Sequence, residues 1–417
     1  MSGGTGRQFF VDVGPLRASP GFRWLFGGMT LSVTARQFTI VAVPYQVYQL
    51  TGSTLLVGAL GIAQLVPLLL TSVVGGALVD SVDRRRLLLI TQLVLALTAG
   101  GLALNASLEA PLVWLIFLLS GINAGVSAID NPSRSASIPA LVGEGYLAQA
   151  FALIQTLFNI AKTAGPALGG LLIAQAGLTT VFLVEAALFL ASGIVLLRLP
   201  HLIPEGGGRR FGVESIKEGF SFLRDRRLLQ ANFLADLNAM IFGAPQALFP
   251  ALGETVLGGD ATTVGILFAA PGAGALIAAL TSGWVGAVKR HGRVIIIAIA
   301  SWGAAIAAVG LSRSLWVMAF FLAIAGAADV ASAVFRTTLL QAAVPDELRG
   351  RLSAIHVGVV AGGPRLGDFR AGSVASLTSP QTSLVSGGIM CIIGILAIAR
   401  WLPELPAYRP VHDQPQE

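Results

Sequence analysis

Twelve stretches of this sequence are apolar for about the 20 residues that a helix needs to cross a lipid bilayer. They lie near residues 24–50, 55–79, 87–105, 111–131, 147–176, 179–199, 228–252, 262–287, 294–311, 315–338, 352–377 and 382–402. The runs are long and continuous, not alternating, which favours helices over a closed barrel. Only 12% of the 417 residues are charged, against about 25% in soluble domains. Most of the surface must therefore face lipid, and the expected fold class is an all-α integral membrane protein of twelve transmembrane helices. Four histidines and a single cysteine, Cys391, give no spacing for a metal cluster or a disulfide framework. No metal, cofactor or Walker-type nucleotide loop is expected, so ATP is not the expected energy source. No cleavable leader is expected either, because the first apolar stretch is long enough to span.

The arginines set the expected orientation. Arg7, Arg17 and Arg23 precede span one, Arg84, Arg85 and Arg86 follow span two, and Lys289, Arg290 and Arg293 follow span eight. Arg349 and Arg351 follow span ten, and the link after span six holds Arg209, Arg210, Lys217, Arg224, Arg226 and Arg227. The opposite turns carry Glu109, Glu254, Asp260 and one base, Arg313. Both termini are expected in the cytoplasm, with the chain in the cytoplasmic (inner) membrane. The net charge of +6 is thus topological and does not mark a nucleic-acid partner.

The chain also repeats itself. Gly165-Pro166-Ala167-Leu168-Gly169-Gly170 in span five is echoed by Gly363-Pro364-Arg365-Leu366-Gly367-Asp368 in span eleven. The stretch from Ser137 to Gln149 matches that from Ala343 to Ala354, and Gly75–Leu89 answers weakly to Thr281–Ile296. The expected organisation is a six-helix bundle over 1–199, a link over 200–227 and a second bundle over 228–417, in parallel repeat. Within the link, Glu205–Gly208 reads as a flexible joint. Val213, Ile216, Phe220 and Leu223 then form an apolar stripe, either resting on the membrane face or belonging to a solvated connector.

Gly76, Leu78, Asp80, Arg84 and Arg85 resemble the signature between helices two and three of the major facilitator superfamily. Ser81 stands where that signature has a basic residue, and Asp83 where it has glycine. Gly165, Pro166, Gly169 and Gly170 resemble the helix-five motif of its antiporter-class exporters, with Ala161 in place of a further glycine. Layout over about residues 16–405 is similar to the drug-efflux branch that includes the enterobactin exporter and macrolide efflux proteins. The resemblance implies a glycine seam that closes the periplasmic side, and a cytoplasmic latch of Gly76, Asp80, Arg84 and Arg85 that breaks when the protein faces inward. Physically, small residues let helices approach closely in lipid, and a carboxylate can accept hydrogen bonds from helix N-termini and guanidinium groups.

Ionisable groups inside spans are costly and tend to face a cavity or a partner. Four acids are candidates for proton coupling: Asp236 and Asp329, which lie well within their spans, then Asp130 and Glu185. Candidates for the substrate pathway are Arg36, Asn123, Lys162, Asn238, Arg365 and Asp368. For each of these charges a permanent structural ion pair is the alternative. Arg365 and Asp368, three residues apart, share a helix face close enough to pair, and are expected to line a wet cavity, the alternative being a position near the cytoplasmic half reached by snorkelling. The expected function is secondary export of a small amphiphile or siderophore against protons, by a monomer; a nutrient facilitator or importer of the same superfamily is the alternative. No extramembrane domain or catalytic grouping points to an enzyme.

Overall fold

A computed structural model describes residues 12–204, 221–344 and 346–409. The Glu205–Gly208 joint and nearly all of the striped helix lie outside the described residues, as do Arg7 and the side chains of Arg349 and Arg351. The described part is helical and carries no strand. Buried backbone groups inside lipid must pair within the chain, and a helix achieves this without a neighbour.

The long helices are α1 (Pro20–Thr51), α2 (Thr54–Ser81), α3 (Arg84–Ala106) and α4 (Val113–Val142). A 50-residue element, Leu147–Leu196, contains Gly177 at φ 80° and is two helices, α5 (147–176) and α6 (178–196), joined at that one left-handed residue. Then come α7 (Arg227–Gly243), α8 (Ala261–Leu280), α9 (His291–Leu311), α10 (Leu315–Ala343), α11 (Asp346–Leu377) and α12 (Pro380–Trp401). A helix thus falls on every apolar stretch of the sequence. By length and composition alone, eight candidate spans qualify, with α5 and α6 counted together. Of the others, α7 falls short because it stops at Gly243, after 17 residues. Polar side chains begin several helices: Ser19, Ser53, Asp83, Asp260 and Ser379 each accept a backbone N–H of the first turn.

Contacts repeat in register along the chain. α2 packs on α4 through Gly121, and α8 packs on α10 through Gly274 and Gly326. In α5, Gly165 and Gly169 lie against Gln37 and Phe38 of α1; in α11, Gly363 and Gly367 lie against Met240 of α7 and Ala244 just beyond its end. Two seams then join the earlier helices to the later ones. At one, a Cβ on Gly170 of α5 would stand 2.7 Å from Cα of Gly265 in α8. At the other, a Cβ on Gly58 of α2 would stand 3.2 Å from Cα of Gly372 in α11. The first glycine stripe therefore meets α1 of its own set and α8, the second helix of the later set.

The apolar cores show where the two sets meet. One cluster runs through both, from Phe38, Val41 and Ile173 to Leu248, Phe249, Leu267 and Ala371, at the end where the seams lie. Toward the arginine-rich end the cores are separate: Phe22, Leu25, Ile138 and Leu196 on one side, Phe233, Ile295, Phe335 and Ile395 on the other. The two helix sets are joined at the seam end and apart at the arginine-rich end.

Candidate functional site: the central cavity and its two charge clusters

Between the two sets lies a cavity of about 1320 Å³, running along α2 from Val57 to Gly76 and along α11 from Gly358 to Asp368. Its walls are mostly apolar, with Arg36, Gln64, Asn123, Gln246 and Arg365 among the polar groups that reach it. That volume and lining suit a small organic molecule held by a few oriented polar groups.

Behind the α1–α4 wall is a buried charge cluster. Asp130 accepts from Arg36 Nη2 at 2.5 Å, Arg134 Nε at 2.8 Å, Thr91 Oγ1 at 2.8 Å and Gln92 Nε2 at 2.9 Å. Four donors from α1, α3 and α4 meet on this one fully buried carboxylate, which anchors the three helices. A group so fully engaged is poorly suited to release and regain a proton.

The α7–α10 wall carries the opposite arrangement. Arg336 Nη1 lies 2.7 Å from Asp236 and Nη2 lies 4.0 Å from Asp329. The Asp236 contact is an ion pair without an aligned hydrogen bond, since neither carboxylate oxygen has a donor in good geometry. His356 of α11 adds its Nδ1 at 3.8 Å from Asp236. Asp130 and Arg336 each stand nine residues before matching prolines, Pro139 and Pro345. At that level the first helix set has two arginines and one aspartate, the second two aspartates and one arginine. His356 escaped the sequence reading because its partner lies on another helix; the available signal was a histidine inside an apolar stretch.

The charges of the second glycine word have a backbone task. α7 breaks at Gly243, and Ala244 is extended (φ −76°, ψ 117°) before a short turn, Gln246–Leu248. Arg370 donates to the carbonyls of Ile241 at 3.2 Å and Phe242 at 2.5 Å, and Trp302 Nε1 donates to that of Gly243 at 3.0 Å. Asp368 accepts the N–H of Ala247 at 3.0 Å. The broken helix end, which lipid could not satisfy, is thus paired from α9 and α11. Arg365 and Asp368 do not form the ion pair that their spacing allows, because Asp368 is turned to this break. Arg365 instead lines the cavity and donates to Ala361 of its own helix at 2.5 Å. Replacing Arg370 with leucine is expected to cost about 1–3 kcal/mol by removing the donor to three carbonyls, those of Ile241, Phe242 and Ser383, read as a lower thermal midpoint in detergent, whereas lysine should recover part of it.

Three other candidates lie away from the cavity. Lys162 is exposed, and its backbone carbonyl supports Gly272 of α8. Asn238 donates to the Cys391 carbonyl at 2.8 Å and ties α7 to α12. Glu185 is fully buried on α6, accepts from Thr39, and has one oxygen without a partner.

At the α2–α3 turn the residues divide unexpectedly. Asp80 is exposed and makes no hydrogen bond or ion pair with the described residues, while Gly76 lines the cavity with open space where a Cβ would stand. Arg84 donates to Ala136 at 3.0 Å and Arg85 to Leu197 at 2.6 Å. The hub is Asp83, which accepts from Arg85 N at 3.0 Å and Leu202 N at 3.0 Å and meets His201 at 2.6 Å. Burial alone would raise the Asp83 carboxyl, but these hydrogen bonds outweigh it and hold the group below the ordinary aspartate range. A depressed carboxyl stabilises the fold above its unfolded value of about 3.9 and loses that contribution as pH falls through the folded value. The wild type should therefore melt above Asp83→Asn at neutral pH, with the gap closing as pH drops below about 4 in a thermal-shift titration.

Comparison with known proteins decides the family. Residues 12–415 match the family model described as "Transmembrane secretion effector". The chain belongs to that family, within the major facilitator superfamily. Two similar relatives of this secretion effector are the enterobactin exporters EntS of Shigella boydii serotype 4 (strain Sb227) and Escherichia coli O81 (strain ED1a). Each is 29% identical over 414 residues, covering 98% of this chain and 98% of the relative. In fold, the secretion effector is similar to nucleoside transporter NupG, with a TM-score of 0.76 at 14% identity over 91% of this chain and 98% of that one. It is also similar to a bacterial homolog of the human lysosomal transporter Spinster in an inward-facing, unoccupied conformation, with a TM-score of 0.69 at 16% identity over 95% and 96% of the two chains. The fold is the all-α membrane fold of the superfamily, and the function is export.

Proposed function

We propose that this exporter moves a small amphiphilic molecule, a siderophore being the leading class, out of the cytoplasm in exchange for protons. The observation that carries the reading is the central cavity, with glycine seams at one end and separate apolar cores toward the arginine-rich end. The arginine bias supports a cytoplasmic position for that end and for both termini of the chain. The conformation described is then inward-facing, with free Asp80 and uncrowded Gly76 marking an open latch. Rocking of the bundles over 1–199 and 228–417 about the cavity would open the seams and close the arginine-rich end.

Proton exchange falls to the cluster of Asp236, Asp329, Arg336 and His356. Two carboxylates face one permanent cation there, so a single proton, on an acid or on the imidazole, makes the group neutral. Binding that proton from the outside and releasing it inside would reset the carrier between substrates. The test is efflux from proteoliposomes of a catecholate siderophore and a drug panel, with and without an imposed pH gradient. One pH unit supplies about 1.4 kcal/mol per proton, a roughly tenfold gain in the accumulation ratio. Efflux indifferent to the gradient removes the proton exchange, and transport of none of these compounds removes the substrate class.

A further inference from the structure

Lys162 has no task in the site described above. It is exposed on α5 and makes no ion pair or side-chain hydrogen bond with the described residues. It lies 15 residues into α5, which begins at Leu147, so at about 1.5 Å per residue it sits about 22 Å from that end, too deep to snorkel to the interface. A charge at such depth is costly and faces water or a partner. Its own helix shows which way it is turned. Phe151, Gln155 and Phe158 precede it at helical spacing and line a chamber that shares Arg36, Asn131 and Ser135 with the central cavity. Lys162, four residues past Phe158, continues that stripe and faces the space between the two helix sets.

An acid stands across that space. A Cβ on Gly272 of α8 would lie 2.8 Å from the carbonyl oxygen of Lys162, and a Cβ on Gly326 of α10 would run into the carbonyl of Pro271. Lys162 and Gly326 thus pack on consecutive residues of one helix, and Asp329 is one turn beyond Gly326 toward the arginine-rich end. Side chains in a helix lean toward its N-terminus. α5 starts at the arginine-rich end and α10 at the seam end, so Lys162 and Asp329 lean toward each other's level. α8, between them, carries no ionisable side chain from Ala261 to Leu280 and answers neither charge. In this conformation Asp329 is 35% exposed and loosely held, 4.0 Å from Arg336, while Asp236 holds that arginine at 2.7 Å.

We propose that Lys162 and Asp329 pair when the arginine-rich end closes, and that this pair is the latch on which the proton acts. The inference rests on the alternating-access reading and deepens it by naming the contact that couples charge to closure. The groups facing Asp329 are then Arg336 of its own helix, Asp236 of α7, His356 of α11 and Lys162 of α5. Asp236 keeps Arg336, and the remaining acid is neutralised either by a proton or by the Lys162 ammonium. A proton reaching the Asp329 carboxylate through an open seam end frees Lys162 and lets the carrier return inward. Loss of that proton to the cytoplasm restores the charge that draws the arginine-rich end shut.

Spin labels at Arg86 and Gln341, exposed at the arginine-rich end, report its closure in the full chain in nanodiscs, in a Cys391→Ser background. Raising the pH should enlarge the closed population. At alkaline pH Lys162→Gln should reduce that population by about tenfold, while Lys162→Arg, which keeps the charge, should retain most of it. Asp329→Asn should give a similar loss, and the double variant Lys162→Gln/Asp329→Asn no more than either alone, because each removes the same contact. A closed population unchanged in Lys162→Gln, or losses that multiply in the double variant, overturns the pair. Lys162→Arg behaving like Lys162→Gln overturns its electrostatic basis, and a wild type whose closure ignores pH overturns the proton's hold on it. These populations are read at fixed pH without a gradient, so the coupling can hold while proton-driven efflux fails, or be absent while efflux stands.

Discussion

Replacing Gly170 with valine is expected to stop export. A Cβ at that position would lie 2.5 Å from the carbonyl oxygen of Ala261 and 2.7 Å from Cα of Gly265. Both are backbone atoms, so no side chain can rotate away, and α5 and α8 must separate by roughly 1 Å or the seam stays open. Overpacking of this kind costs about 1–3 kcal/mol, roughly a five- to 150-fold shift against the closed seam. Efflux should fall by a comparable factor, while thiol-reagent access to cysteines placed along the seam rises. Gly76→Ala is the matched control, because nothing lies within 4 Å of its Cβ in this conformation. It should leave the seam closed and hinder only the state in which the arginine-rich end closes, so its efflux defect should come without new access at the seam.

The second large effect belongs to Asp236→Asn, which should abolish pH-driven exchange. Arg336 would lose its contact at 2.7 Å and retain only Asp329 at 4.0 Å. Removing one partner of a buried ion pair costs about 3–5 kcal/mol, so thermal stability has to be followed alongside flux. Asp329→Asn separates the two effects: its side chain is 35% exposed, so folding should suffer little while exchange is still lost. Full proton-driven activity in both variants would take the proton away from this cluster. Glu185, buried and with one oxygen unpartnered, would be the next carboxyl to test.

What could be read from the sequence follows from the bilayer. Lipid forces each crossing to be a long apolar helix, so the helices could be placed to within several residues, including the tight turn at Gly177, although the helix of span seven stops early, at Gly243. The glycine words were legible as close-packing surfaces for the same reason, though not which helices they would meet. The site was harder. Arg365 and Asp368 look like a pair by spacing, yet the break in α7 claims Asp368, and nothing in span eleven announces that break. His356 and Asp236 are 120 residues apart in sequence, and only the folding of α11 beside α7 brings them together. Asp83 was the nearest miss: an aspartate just before Arg84-Arg85-Arg86 opens a helix, which is the position of an N-cap. Its hydrogen bonds to the segment after α6 depend on tertiary packing that spacing does not encode.

On the proposed mechanism the two ends of the molecule open in alternation, driven by protons. Paired spin labels measure this directly in a Cys391→Ser background. One pair would sit at Leu55 and Leu377, exposed at the seam end, and the other at Arg86 and Gln341, exposed at the arginine-rich end. Across a pH titration in nanodiscs the account expects reciprocal change, one distance lengthening as the other shortens, and loss of that response in Asp329→Asn. Distances that move together, or that ignore pH while the protein still transports, would contradict it.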